Sequence, residues 1–319
     1  MIDNESRSLE AGVLDWFQKQ GYSLEMRVAR VFRDAGFSVS QFESYMDPES
    51  GTAREIDVVA SVSREVAGVL ASAALLMECK HCPRPWVMLT SPKRTSPFHC
   101  FSRILQGNFE VREWREYRTL QGRLLARMLV SLGRAETSGL DFFCMPERPA
   151  YRIMEAHKDR QREKDNAYGA VMQAQTSATA HDRRTEMTFE ETVRAYTQRL
   201  YEDVGGTTDL QLFSSVAFPV VVAEGRMFEC CLDAKGDVKL SETSTGTVLV
   251  PSKERLDRGS TVSYDSAIRV VTESAVESFA TQSKKALDAL LSQEDAVTEV
   301  WDYERSRATR GREPGEIPF

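Results

Sequence analysis

Apolar and polar residues along this chain switch repeatedly between a period of about 3.6 residues and a period of two, the pattern of alternating helices and strands. In residues 8–20, Leu9, Val13, Leu14, Trp16 and Phe17 recur at helical spacing, and Gly21 supplies the stop. Ser23 is placed to cap a second helix whose apolar stripe is Leu24, Val28, Val31, Phe32 and Ala35, ending at Gly36. Residues 37–45 alternate as a strand, and Asp47-Pro48-Glu49-Ser50-Gly51 is turn chemistry. Residues 52–62 and 69–80 predict two further strands, rich enough in apolar residues to be buried on both faces.

Pro83, Pro85, Pro92 and Pro97 then predict a loop over residues 81–110, followed by one or two helices up to about residue 132. Residues 151–166 mix charges of both signs and read as a solvated connector or exposed helical turns. Ala167, Ala170, Val171, Ala174 and Ala178 form a small-residue stripe that lets a helix lie close on a sheet, and a second helix is expected over 188–203. Strands are predicted at 212–223, 227–232, 247–250 and 260–271, with a hairpin turn at 233–237, and a helix at 273–291. From Tyr303 the chain turns polar and reads as a tail.

Two of the predicted strands carry charges where a buried sheet should have none. The first reads Arg54-Glu55-Ile56-Asp57-Val58-Val59-Ala60 and the second Leu75-Leu76-Met77-Glu78-Cys79-Lys80. Strand alternation puts Glu78 and Lys80 on one face and Met77 and Cys79 on the other. Neighbouring strands would therefore bring an Asp, a Glu and a Lys together, and a divalent cation on the carboxylates would offset their burial. Glu25, on the edge of the second helix's apolar stripe, is a fourth charge leaning toward the core; the competing reading pairs it with Arg27 or Arg30 at the surface.

Asp57 followed by Glu78-Cys79-Lys80 resembles the Asp…(Asp/Glu)-X-Lys signature of the PD-(D/E)XK nuclease superfamily, with Ile56 in place of the proline of the family name. The order of helix, strand, turn, Asp strand and Glu-X-Lys strand agrees with that resemblance. It implies an α/β, restriction-endonuclease-like fold: a mixed central sheet flanked by helices, with a large insertion after the Glu-X-Lys strand. Residues 1–302 would form one elaborated domain, with core at about 21–80 and 166–293, a basic insertion at 83–165 and a flexible tail at 303–319. The implied activity is metal-dependent hydrolysis of phosphodiester bonds, of DNA first, in restriction or defence against foreign DNA. Mg²⁺, with Mn²⁺ as a substitute, would be held by Asp57, Glu78 and the backbone carbonyl of Cys79, with Glu25 as a further ligand. Lys80 would hold or deprotonate the attacking water, and Gln173, or its rival Gln175, would face the site from the following helix. A non-cleaving member of the same fold, binding nucleic acid or a partner protein, is the alternative, and a homodimer is compatible with either.

Composition adjusts this picture in three places. A net charge of −7 argues against a protein that coats nucleic acid throughout. Yet residues 84–134 carry ten Lys and Arg against three Glu, with Trp86, Phe98, Phe101 and Phe109 among them, which suits a local grip on a polyanion and on unpaired bases. Six cysteines and an acidic start predict reduced thiols in a cytoplasmic protein, and the longest apolar run, 66–77, is too short for a bilayer. Cys79 and Cys82, with His99-Cys100 beyond, would suffice for zinc only if Cys79 turned toward Cys82, which strand alternation opposes. No phosphate loop or serine-hydrolase elbow is present.

Overall fold

The computed structural model describes residues 2–19, 21–47, 49–66, 69–92, 120–134, 140–156, 165–201, 212–255 and 261–310. In chain order they form α1 (Ile2–Lys19), α2 (Tyr22–Asp34), β1 (Ser38–Met46), β2 (Ala53–Val66), β3 (Val69–His81), β4 (Trp86–Thr90), α3 (Leu120–Arg134), α4 (Leu140–Phe143), β5 (Ala150–Glu155) and α5 (Asn166–Tyr201). There follow β6 (Leu212–Glu224), β7 (Met227–Leu232), β8 (Val238–Thr243), β9 (Thr245–Arg255), β10 (Thr261–Thr272), a 3-10 turn (Glu273–Ala275), α6 (Val276–Leu291) and α7 (Glu294–Arg310). The protein is α/β, built on one mixed sheet of ten strands in the order β1-β2-β3-β6-β10-β9-β5-β4-β7-β8.

The apolar runs of β3 and β6 explain their place in the sheet. They pair in parallel over thirteen positions, from Val69 opposite Leu212 to His81 opposite Glu224. Leu75, Leu76 and Met77 are fully buried, since side chains on both faces of a covered sheet must be apolar. Beneath one face, Met77, Cys79, Val220 and Val222 pack with Leu24, Val28, Ala29 and Phe32 of α2 and with Phe279, Leu287 and Leu290 of α6. Beneath the other, Val221 and Ala223 meet Ala167, Ala170, Val171 and Ala174 of α5, and Leu76 and Ala217 meet Ala178. The small-residue stripe of α5 thus does what its composition predicts.

Several expectations give way. Residues 81–110 are not all loop: Trp86 and Met88 are buried and β4 pairs with β5 and β7. Residues 150–155 are likewise a strand, because Ile153 and Glu155 turn inward while Tyr151 stays in water, so Arg152 and Glu155 belong to the sheet and not to a connector. The segment 83–165 therefore contributes two strands, β4 and β5, to the sheet. The two helices expected after residue 166 are one continuous α5. Ser23 does not cap α2; Gly21 takes that position with φ +83°, a left-handed conformation that glycine adopts without a steric penalty. The polar run from Tyr303 continues α7 to Arg310. The cluster Lys93, Arg94, Arg103, Arg112, Arg115 and Arg118, with Phe98, Phe101, Phe109 and the pair His99-Cys100, lies outside the described residues.

One half-buried cation ties the layers together. Arg269 of β10 donates to Thr247 Oγ1 of β9 at 2.5 Å and to the carbonyls of Phe142 and Cys144 at 2.5 and 3.2 Å. Burial pulls its guanidinium down to about 10, and its bonds anchor α4 to the sheet.

Candidate active site

Strands β2 and β3 form an antiparallel hairpin whose ladder runs from Val66 opposite Val69 to Val58 opposite Met77 and ends there. Asp57 and Glu78 are the next residue on each strand, so they stand where the strands part. The Asp57 side chain takes over where the ladder stops: its Oδ2 accepts a hydrogen bond from the Cys79 N–H at 2.7 Å. In a strand a residue's N–H and C=O point the same way, so the Cys79 carbonyl also faces this gap. On its other edge β3 stays paired with β6 through Glu78, Cys79 and Lys80, which holds the three rigidly.

Glu78 is 3% exposed, and its carboxylate forms an ion pair with the Lys80 ammonium two residues on, as same-face alternation requires. Glu25 projects from the first turn of α2 and is also buried. Its Oε2 has no hydrogen-bond partner among the described residues. The surface reading of Glu25 fails here, because Arg27 pairs with Glu224 and Glu273 and Arg30 with Asp34.

The electrostatics show that the charges sense one another. Burial, then the charge of Asp57, pushes the Glu25 carboxyl up to about 7, against the opposing pull of Lys80. Burial and Asp57 likewise push Glu78 up to about 7, with Glu25 adding to the rise. Asp57 is raised by burial in spite of the Cys79 hydrogen bond and Lys80. For Lys80, burial alone would lower the ammonium's affinity for its proton, but Glu78 and Asp57 together outweigh it and the net direction is up. Lys80 therefore remains a cation at neutral pH. Three carboxyl groups share one ammonium, which leaves room for more positive charge.

A fifth polar group, not anticipated from sequence, borders this site. Tyr45 of β1 has its hydroxyl buried without a hydrogen-bond partner among the described residues. Burial raises it to about 12, with the charges of Asp47 and Glu78 adding and Arg54 opposing. Its only sequence signal is its place on the strand that pairs with the Asp57 strand, opposite Arg54.

The rim is held by a second set of charges. Glu224, at the end of β6, accepts from Arg27 Nη2 through Oε1 and pairs with His81 Nδ1 through Oε2, both at 2.7 Å. Arg27 Nε reaches Glu273 at 2.5 Å, so α2, which carries Glu25, is tied to the ends of β3 and β6. Gln175 is buried but donates to Ser266 of β10 at 3.3 Å, while Gln173 is half-buried and makes no hydrogen bond to the cluster. Cys79 and Cys82 fall in different cores, as strand alternation predicts, and do not form a zinc pair.

Among the described residues no three Asp, Glu, His or Cys side chains already form a group able to hold a metal ion. Magnesium does not require one, since it binds through one or two carboxylates and keeps several waters. The donor set here is hard oxygen, one buried carboxylate oxygen is unpartnered, and the Cys79 carbonyl faces the same gap, which fits such an ion. No helix among the described residues is long and apolar enough to cross a membrane. Compared with protein-family models, with curated proteins and with solved structures, the chain matches none.

Proposed function

We propose that the protein is a metal-dependent nuclease with a restriction-endonuclease-like fold, hydrolysing phosphodiester bonds, with DNA as the first substrate to test. The observation that carries this reading is the meeting of Asp57, Glu78, Lys80 and Glu25 where β2 and β3 part. Asp57, Glu78 and the Cys79 carbonyl would hold Mg²⁺, with Glu25 beside them. The ion would supply Lewis acidity for the attacking water and the leaving oxygen.

The chain's own residues do the rest. Lys80 would hold or deprotonate the attacking water and neutralise the phosphate; Glu78 and Asp57 beside it favour its charged form. Strand pairing to β6 fixes Lys80 and Glu78 in the backbone, so little rearrangement accompanies the reaction. The Arg27, Glu224 and His81 network sets the rim, with His81 half in water next to Lys80.

Incubation with linear, circular and single-stranded DNA and with RNA, with Mg²⁺ and with chelator, tests the proposal. Mg²⁺-dependent cleavage, absent in Lys80→Met with its fold intact, is the expected result. Binding without cleavage on every substrate would favour the non-cleaving alternative, and cleavage retained in Lys80→Met would remove the assignment of the site.

A further inference from the structure

Beside the carboxylates lies a row of aromatic rings that the hydrophobic core does not use. Trp16 and Phe17 end α1, Tyr22 opens α2, and Phe42 sits in β1. Ring centroids are 6.1 Å apart for Trp16 and Tyr22, 5.7 Å for Phe17 and Tyr22, and 6.3 Å for Tyr22 and Phe42. Trp16 is 54% and Phe42 51% exposed, so the ends of the row stand in water.

The position of Phe42 is the telling one. Among the described residues it alone, of those that are not glycine, has a positive φ, +59°, and it does so inside a strand. A bulky side chain is disfavoured in that conformation, and strain of this kind persists where function maintains it. The β1–β2 ladder shows where it falls: Gln41 pairs with Val58 and Glu43 with Ile56, which leaves Phe42 across from Asp57. At its middle, Tyr22 lies three residues before Glu25, nearly one helical turn. The row thus borders the site from β1 and from α2.

We propose that this row is a stacking ledge for unpaired bases, so that the site takes its strand single-stranded. The inference rests on the hydrolytic reading for its substrate class. Each base has an apolar face that stacks on an aromatic ring whatever its identity, whereas a duplex keeps those faces inside. A strand whose phosphate lies at Lys80 carries its neighbouring bases past Phe42 and Tyr22. These rings belong to α1, α2 and β1; of the aromatics set among the basic residues 86–109, Trp86 is buried and Phe98, Phe101 and Phe109 lie outside the described residues.

The test uses the full chain in chelator, with fluorescent oligo-dT, oligo-U and a DNA hairpin duplex read by anisotropy. Wild type should bind the single strands more tightly than the duplex. Phe42→Leu and Trp16→Leu should each weaken single-strand binding about tenfold and leave duplex binding unchanged, while Phe42→Trp should retain it. Phe42→Gly separates stacking from structure: it relieves the strained backbone, so thermal stability holds or rises while single-strand binding falls. Unchanged single-strand affinity in both Leu variants overturns the ledge. So does a wild-type dimer in light scattering that Trp16→Leu dissociates, which would make the row a contact between copies. A wild type that cuts nothing with Mg²⁺ yet binds single strands through Phe42 and Trp16 keeps the ledge and removes the hydrolysis. One that cuts duplex and single strand alike, with the ring variants unaffected, does the reverse.

Discussion

Replacing Glu78 by Gln should make the protein more stable at alkaline pH while removing the proposed cleavage. Gln copies the shape and neutrality of the protonated acid, so the variant measures what ionising Glu78 in its buried site costs. The folded-state value of about 7 lies above the ordinary 4.5, so the folded protein binds the proton more tightly than the unfolded chain. Stability conferred by that proton is present in full below about pH 4.5 and is lost as the pH rises through about 7. A rise of this size corresponds to about 3 kcal/mol against the folded state once the group is ionised. In chelator, urea unfolding from about pH 4 to about pH 8.5 should give coincident stabilities for wild type and Glu78→Gln at the acid end. At the alkaline end the variant should lead by about 3 kcal/mol. Adding Mg²⁺ should stabilise the wild type at high pH more than the variant, because Glu78→Gln removes one of the carboxylates that would hold the ion. A difference independent of pH, or a wild type that stays the more stable at alkaline pH, would refute the reasoning.

Three further outcomes follow from contacts described above. Arg269→Ala leaves the carbonyls of Phe142 and Cys144 without their donor and opens a gap beneath α4, and should destabilise by about 3 kcal/mol in urea unfolding, with faster proteolysis near residue 144. Gly225→Ala would place its Cβ 2.6 Å from the Cys82 carbonyl oxygen; that backbone cannot yield easily, so a loss of about 1–3 kcal/mol is expected by thermal unfolding. Arg27→Ala frees α2 from Glu224 and Glu273 at the surface; it should change stability by no more than about 1 kcal/mol yet lower the rate of the proposed cleavage, as measured by single-turnover kinetics, because Glu25 rides on α2.

The features legible in sequence were those written by local rules. Alternation alone sends Glu78 and Lys80 one way and Met77 and Cys79 the other, and the structure keeps that division down to the two cores. The alanine stripe of α5 was readable for the same reason: a helix close to a sheet tolerates little else. What escaped was set by partners distant in the chain. Trp86 to Thr90 is too short and too hemmed by prolines to declare itself a strand, and becomes one only because β5 and β7 flank it. Arg152 and Glu155 look like part of a charge run until Ile153, between them, is seen to be buried. Tyr45 and Phe42 came to notice through a buried hydroxyl, a positive φ and the register of β1 on β2, none of which spacing in β1 reveals.

The parallel partnership of β3 and β6 bears on how this protein is made. About 140 residues separate His81 from Glu224, its opposite number, and a ribosome adding about 5–20 residues each second needs roughly seven to thirty seconds to cover them. Throughout that interval the nascent strand bearing Leu75, Leu76 and Met77 has one edge with no neighbour, the state in which chaperones bind and chains clump. Glu78 and Lys80 emerge early, but the wall that fixes them arrives late. A chain stopped short of residue 212 would carry all four charged residues of the site and still lack the strand that holds it together.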